Sequence, residues 1–398
     1  MEDSAVRALL EPAGARLLSD LPPYDESAAL STAARLRRDG HDEALVAAAL
    51  TQARLRARAR TKFGAEADRM LFTAAGLEQA TRPAVADRHG ARFAAAGVAS
   101  VADLCCGIGG ELPAFAAAAE RVVGVDRDPL TAEVARANVA ARGVSDRVEV
   151  RCDDVTTLDL DGWQGAFIDP SRRSAGGSRA FDPKAYSPPY DFVLDLAATV
   201  PATGAKLAPG IAHSALPAEA EAEWVSDGGD VVECALWFGP LASGVRRRAT
   251  VLPSGASLTG SGQGRGDVGP VARFLYEPDG AVIRAGLVAE AAALVDGTLV
   301  DPSIAYVTSD AAVATPFLSA YEVTDVLPFG LKRLRSLLRS RGVGRLTVKK
   351  RGSAVTPEEL RRQLRLSGPE EATVVLTRVA GAQSVLVVRP VTVANGRR

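Results

Sequence analysis

Acidic residues recur at one kind of place in the first half of this chain. Asp103 sits in the short apolar run 101–104, and Asp126 ends the run 122–125. Asp153 and Asp154 follow Val148-Glu149-Val150, and Asp169 follows Gly165-Ala166-Phe167-Ile168. Short apolar runs of this kind fit buried parallel strands. Ligands of open α/β sheets bind beyond the carboxyl ends of such strands, so these acids are expected along one sheet edge. Carboxylates there can accept hydrogen bonds from ribose hydroxyls or orient an amine. Between Asp103 and Asp126 runs Cys105-Cys106-Gly107-Ile108-Gly109-Gly110. Glycines let a backbone turn tightly and approach a ligand closely. A glycine turn alone can be purely structural, but a strand before it, a helix after it and an acid about 20 residues on are the setting of a nucleoside cofactor. The pattern is not the G-x-G-x-x-G of pyrophosphate binders. Asp103 beside the turn would repel a pyrophosphate and suits a cationic or zwitterionic ligand.

Asp103-x-x-x-Gly107-x-Gly109-Gly110, followed by Asp126, resembles the first motif of class I S-adenosylmethionine-dependent methyltransferases. The resemblance implies S-adenosylmethionine as cofactor. Gly107 and Gly109 would shape its pocket, Asp103 would lie near the methionine amino group and Asp126 would bind the ribose. Asp153 or Asp154 would take the adenine, and Cys105 and Arg127 complete the cofactor-binding set. Asn138, in an Ala-rich helix, resembles a common feature of this fold and reads equally as an ordinary polar helix residue.

Amino-methyltransferases carry Asp-Pro-Pro-Tyr after the fourth strand. This chain has Asp169-Pro170-Ser171-Arg172-Arg173. Asp169 and Pro170 are thereby the catalytic candidates, and the stacking aromatic is missing. Arg172 or Arg173 can stack on a base or pair with phosphate. Ser187-Pro188-Pro189-Tyr190 matches the family wording better, yet it precedes a structured segment instead of following a strand. Long loops often cover active sites, and in the loop 174–190 Phe181, Tyr186 and Tyr190 could supply stacking.

The elements that must position these residues follow from periodicity. The fold class is α/β: a Rossmann-like methyltransferase sheet (96–258) behind an N-terminal helical domain (1–95). A linker and connecting segment (259–320) leads to a C-terminal α+β domain (321–398). Helices are expected over 27–38 and from 41–43 past residue 60, with Leu45, Ala49, Gln52 and Leu55 on one face. Two more fit 63–93, broken at Gly76 and Pro83. Arg54, Arg56, Arg58, Arg60 and Lys62 read first as a solvated face. A strand at 231–238 is expected to pair with one at 248–252. The strand and helix order from 321 onward resembles the THUMP-like domain at the C-terminus of a bacterial methyltransferase group, and that resemblance implies RNA. Between Val326 and Pro357 there is no acid, while Lys332, Arg333, Arg335, Lys349, Lys350 and Arg351 are among nine basic residues. Such a block is the footprint expected for phosphates.

The rest bounds the reading. The chain has 398 residues, 47% hydrophobic and 24% charged, with net charge −1. A whole-molecule polyanion binder is excluded, so RNA must meet a local patch. The four cysteines form no CxxC pair and the three histidines are scattered, so no metal site is expected. The cysteines read as small buried thiols. No apolar run reaches membrane length and no leader is apparent, so a cytoplasmic protein is expected. The combined expectation is an S-adenosylmethionine-dependent methyltransferase acting on a nitrogen of tRNA or rRNA. The rivals are an inactive RNA-binding relative and a small-molecule methyltransferase. RNA class, target atom and oligomeric state stay open.

Overall fold

The computed structural model describes residues 3–171, 185–264 and 266–391. The chain divides into two compact units: 1–220 with 235–243, and 221–234 with 244–398.

The first unit opens with helices α1 (Asp3–Leu10), α2 (Pro12–Asp20), α3 (Ala29–Arg38), α4 (Glu43–Phe63), α5 (Ala74–Gln79) and α6 (Pro83–Ala95). Asp42 caps α4 by accepting the Leu45 N–H, and the helix buries Val46, Ala49, Gln52, Leu55, Ala59 and Phe63. Gly76 lies inside α5 and does not break it. A Cβ there would overlap the Ile108 side chain, so this glycine serves close packing. The sheet units follow: β1 (Ser100–Leu104), α7 (Leu112–Ala118), β2 (Arg121–Asp126), α8 (Pro129–Ala141), β3 (Val148–Cys152), β4 (Gly165–Ile168), α9 (Tyr190–Thr199) and β5 (Ala202–Leu207). Their order is β3-β2-β1-β4-β5, and all four neighbouring pairs are parallel. The reversal of winding between β1 and β4 places a ligand crevice at their carboxyl ends. Phe93, Phe115, Phe167 and Trp237 pack as the aromatic centre of the core.

β6 (Glu221–Asp227) and β7 (Asp230–Trp237) are neighbours in the sheet, joined through Gly228 and Gly229 at φ 62° and 91°. That is the two-residue turn a twisted hairpin demands. β8 (Arg247–Leu252) pairs in parallel with β6 and antiparallel with β9 (Ala256–Gly260), so the expected pairing of 248–252 with 231–238 is wrong. Both edges of β7 are taken by β5 and β6.

The second unit also holds β10 (Phe274–Pro278), α10 (Gly280–Ala285), α11 (Val288–Ala293), β11 (Thr298–Asp301), β12 (Ile304–Ser309), β13 (Leu318–Pro328), α12 (Leu331–Ser340), β14 (Val343–Lys350), α13 (Pro357–Leu364), β15 (Glu370–Val379) and β16 (Ala382–Pro390). They form a seven-stranded sheet, order β11-β12-β10-β13-β16-β15-β14. Among the described residues β14 and β15 pair in parallel, and the other five neighbouring pairs are antiparallel. Leu334 and Leu338 of α12 and Leu360 and Leu364 of α13 recur at helical spacing and close the core over β14, β15 and β16.

Candidate active site

The site grows from the carboxyl ends of β1, β2, β4 and β5. Beyond Leu104 the backbone turns through left-handed conformations at Cys105, Gly107 and Gly109, φ 62°, 56° and 80°. The Cys106 N–H donates to Val125 O at 3.0 Å and the Gly109 N–H to Cys106 O at 2.9 Å, which pins the turn between β1 and β2. A Cβ on Gly107 would enter open space, whereas one on Gly109 would come within 3.1 Å of Leu112 Cδ1. Gly107 thus leaves room for a ligand against the backbone, and Gly109 allows the turn to pack.

Asp126 holds the turn from the other side. Its Oδ2 accepts the Gly107 N–H and its Oδ1 the Asp128 N–H, both at 3.0 Å. Burial raises its pKa and these two donors oppose the rise. Each oxygen keeps a further lone pair for a hydroxyl.

Asp103 is 1% exposed, and its Oδ2 has no hydrogen-bond partner among the described residues. Burial first, then the charges of Glu111 and Asp169, push its pKa well above the carboxylate range. Buried polar atoms are seldom left unpaired, and an ammonium group beside this oxygen would satisfy it. Together with the open space at Gly107, that is a fit to the amino end and backbone-facing body of S-adenosylmethionine. Burial also raises the Cys105 thiol pKa, with Asp126 and Asp169 adding to it, so Cys105 is a small neutral group there.

Asp153 and Asp154 are both exposed and differ in employment. Asp154 Oδ1 accepts the Thr156 N–H at 2.9 Å and the Thr156 hydroxyl at 2.7 Å, capping the turn Val155–Thr157. Asp153 Oδ1 accepts the Asp154 N–H at 2.8 Å, and its own N–H donates to Asp126 O at 3.2 Å. Asp153 is thereby tied to the end of β2 at Asp126, and Asp154 is engaged as a cap. Arg127 is exposed, and its carbonyl lies 3.7 Å from Cys152 Sγ. Cys152 is itself exposed, contrary to the expectation of buried thiols.

Asp169 stands just past β4, with its N–H donating to Leu104 O at 3.2 Å. Its Oδ2 accepts from Lys206 Nζ, in β5, at 2.5 Å. Lys206 Nζ also donates to Thr81 Oγ1 at 2.8 Å, and the Thr81 hydroxyl donates to Glu111 Oε1. Glu111 follows the glycine turn directly and is buried, with His89 Nδ1 4.0 Å away. Lys206, Thr81 and Glu111 did not stand out in sequence. The available signal was a lysine as the lone charge inside the buried strand Ala202–Leu207, where a charge must have a partner.

Pro170 is buried. Ser171 and Ser187 exchange N–H···O bonds at 2.9 Å. The motif begun at Asp169 therefore lies beside Ser187-Pro188-Pro189-Tyr190, and the two rival strings share one place. Arg172, Arg173 and Phe181 lie outside the described residues. Tyr186 and Tyr190 are 4% and 7% exposed, and the Tyr190 hydroxyl donates to Ala215 O at 2.8 Å. Both rings are buried.

Amides anchor the segment that leads from α4 to α5. Gln52 exchanges hydrogen bonds with Phe72 N and O at 2.8 and 2.9 Å. Asn138 accepts the Leu71 N–H at 2.7 Å and donates to Leu71 O at 3.0 Å and Ile108 O at 2.9 Å. Asn138 is thus a buried tie to the glycine turn, not an ordinary surface residue. On α4, Arg54, Arg58 and Arg60 are exposed as a solvated face requires, whereas Arg56 and Lys62 are half-buried, Arg56 donating to Met70 O and Lys62 to Leu77 O.

The basic block of the second unit is less free than its sequence suggests. Arg341 forks onto Asp325 at 2.6 and 2.8 Å, Arg345 pairs with Glu371, and Lys349 pairs with Glu277 at 2.5 Å. Arg335 donates to Gln363 O, and Arg351 lies over the Tyr306 ring at 5.4 Å. Lys332, Arg333 and Lys350 are exposed. Among the described residues no helix is long and apolar enough to cross a membrane, and no cluster could hold a metal.

This fold and site define a class I S-adenosylmethionine-dependent methyltransferase. Residues 101–167 match the family model described as a methyltransferase domain, 318–390 match THUMP domain-like, and 3–59 match a domain of unknown function. Uncharacterized S-adenosylmethionine-dependent methyltransferases from two strains of Mycobacterium tuberculosis are each 40% identical over 319 residues, covering 79% of this chain and 86% of theirs. The chain belongs to this family of S-adenosylmethionine-dependent methyltransferases. A crystal structure assigned as a methyltransferase, from Porphyromonas gingivalis, shares the fold at TM-score 0.73 and 20% identity, covering 93% of this chain and all of that one.

Proposed function

We propose that this methyltransferase modifies a nitrogen of a structured RNA, tRNA or rRNA. The observation that carries the reading is Asp169, at the switch point of the sheet, with one carboxylate oxygen held by Lys206. The THUMP-like region at 318–390 supports RNA as the acceptor. When bound, S-adenosylmethionine supplies an activated methyl group on a sulfonium centre. Asp103 would hold its amino group, Gly107 its body, Asp126 its ribose and Asp153 its adenine. Because the leaving group is already activated, the protein's task is positioning and exclusion of water. The second oxygen of Asp169 accepts a hydrogen bond from the target amine and aims its lone pair. The proton lost by nitrogen as the new N–C bond forms passes to that carboxylate or to water.

The test is transfer of tritiated methyl from S-adenosylmethionine to total RNA of a strain lacking the protein, followed by nucleoside analysis. One labelled nitrogen-methylated nucleoside is expected, and Asp169→Asn should abolish it with cofactor affinity retained. The ion pairs of Arg341, Arg345 and Lys349 favour, as a second reading, a small-molecule acceptor. Label in small metabolites and none in RNA would replace the first reading by the second.

A further inference from the structure

We propose that Lys206 is a positioning residue for methyl transfer: it fixes the Asp169 carboxylate and, through Thr81, ties it to Glu111 beside the glycine turn. This rests on the reading of Asp169 as the group that receives the target amine.

The electrostatic setting shows why such a residue is needed. Asp103 of β1, Glu111 before α7, Asp126 of β2 and Asp169 after β4 all bear on this end of the sheet. Carboxylates at short range in a poorly solvated place repel one another, and one responds by protonating or turning away. Either response would spoil Asp169, which must be charged and correctly aimed to accept an amine N–H. Lys206 Nζ at 2.5 Å from Oδ2 opposes both. It adds a positive charge and occupies one oxygen, so the other is presented in a fixed direction.

Lys62 and His89 nearby make other contacts. Lys62 of α4 donates to Leu77 O at 3.0 Å and Glu78 O at 3.4 Å. Its pKa is pulled down to about 8 by burial first, then by Lys206 and by Arg82, which precedes α6. His89 of α6 faces Glu111. Lys206 is 11% exposed and Asp169 29%, so water screens their attraction poorly. The Thr81 hydroxyl accepts from Lys206 and donates to Glu111, so one hydroxyl links the two. The acceptor-side acid is thereby joined by hydrogen bonds to the residue that follows Gly110.

The experiment compares Lys206→Met, Lys206→Arg and Thr81→Val with wild type, all as the full chain, each checked for folding by circular dichroism. Two readouts are taken. The first needs no substrate: the carboxyl 13C resonance of Asp169, assigned with Asp169→Asn, is recorded at neutral pH. Lys206→Met should move it from its wild-type position, and Lys206→Arg should return it toward that position. The second is methyl transfer to RNA from the deletion strain. For Lys206→Met, kcat should fall about 100-fold or more with KM and cofactor Kd within about threefold, the mark of lost positioning. The acidic limb of its pH profile should move to higher pH. Lys206→Arg should keep activity within about tenfold, and Thr81→Val should lose about three- to tenfold. An unmoved Asp169 resonance in Lys206→Met, or equal losses in Lys206→Met and Lys206→Arg with both folded, overturns the proposal. If Lys206→Met does not fold, Lys206→Gln, which keeps a hydrogen-bond donor and loses the charge, takes its place with the same two outcomes. If wild type methylates no RNA, the RNA reading fails, and the Asp169 resonance still tests whether Lys206 fixes that carboxylate.

Discussion

Asp103 holds the clearest conflict between stability and function. Its carboxyl is buried with one oxygen unpartnered. In the unfolded chain it titrates at the ordinary 3.8, and in the folded chain well above it. The folded state therefore holds the proton more tightly. The stability from this group is complete below pH 3.8 and is lost as pH rises through the folded pKa. Asn mimics the protonated form at every pH. Asp103→Asn should raise the stability of the cofactor-free protein at pH 8 by about 1–3 kcal/mol, seen as a higher Tm, with the gain vanishing toward pH 4. The same change should weaken S-adenosylmethionine by tenfold or more in calorimetry. A variant that binds normally would remove Asp103 from the amino-group site. At this scale the acids were legible in sequence, because a carboxylate at a strand end stands out in an apolar run. Their partners were not. Lys206 meets Asp169 across 37 positions and Thr81 across 125, and Thr81 meets Glu111 across 30. No motif spans those distances; only the fold brings them together.

Among elements, the stretch from α4 to α5 is held by amides from two helices. Leu71 exchanges both its backbone groups with Asn138, and Phe72 exchanges both with Gln52. Asn138 also reaches Ile108 of the glycine turn, so this stretch and the cofactor turn are fastened by one side chain. Asn138→Ala leaves three buried backbone groups unpaired and should cost about 2–4 kcal/mol in denaturant unfolding. Cofactor affinity should fall with it, since Ile108 loses its anchor. Gly76 gives an opposite sign to two principles. Helix propensity alone makes Gly→Ala in α5 stabilising by roughly 1 kcal/mol. The Cβ, however, would overlap Ile108 and approach Thr73 Oγ1 to 2.8 Å. Gly76→Ala should therefore destabilise by about 1–3 kcal/mol; a stabilised variant would show that packing at Ile108 is loose. The sequence reading put a helix break at Gly76 because glycine punctuates helices locally. The actual reason, a neighbour 32 positions along the chain, is invisible to local rules.

For the whole molecule, the decisive quantity is how much of the basic block is available to a polyanion. Nine Lys and Arg between Val326 and Pro357 sit in a chain of net charge −1. The window looked acid-free because its counter-charges come from outside it: Asp325 one residue before, Glu277 from β10 and Glu371 from β15. Sheet order 10-13-16-15-14 gathers these strands, and no linear scan of charge shows that. The pairs subtract cations from any phosphate surface, leaving Lys332, Arg333, Arg339 and Lys350 as its exposed members outside those pairs. Four phosphate contacts on single-stranded RNA give a slope of log affinity against log salt of about −3, where nine would give about −6. RNA binding measured between low and physiological salt should follow the shallow slope. Lys332→Ala, Arg333→Ala, Arg339→Ala and Lys350→Ala combined should bring it near zero while leaving S-adenosylmethionine affinity unchanged. Lys349→Ala should behave differently: it leaves Glu277 without its partner and should lower the unfolding midpoint more than it lowers RNA affinity. A slope near −6 would mean that RNA displaces the internal pairs of Arg341, Arg345 and Lys349. Loss of RNA affinity in Lys349→Ala without loss of stability would point to the same competition.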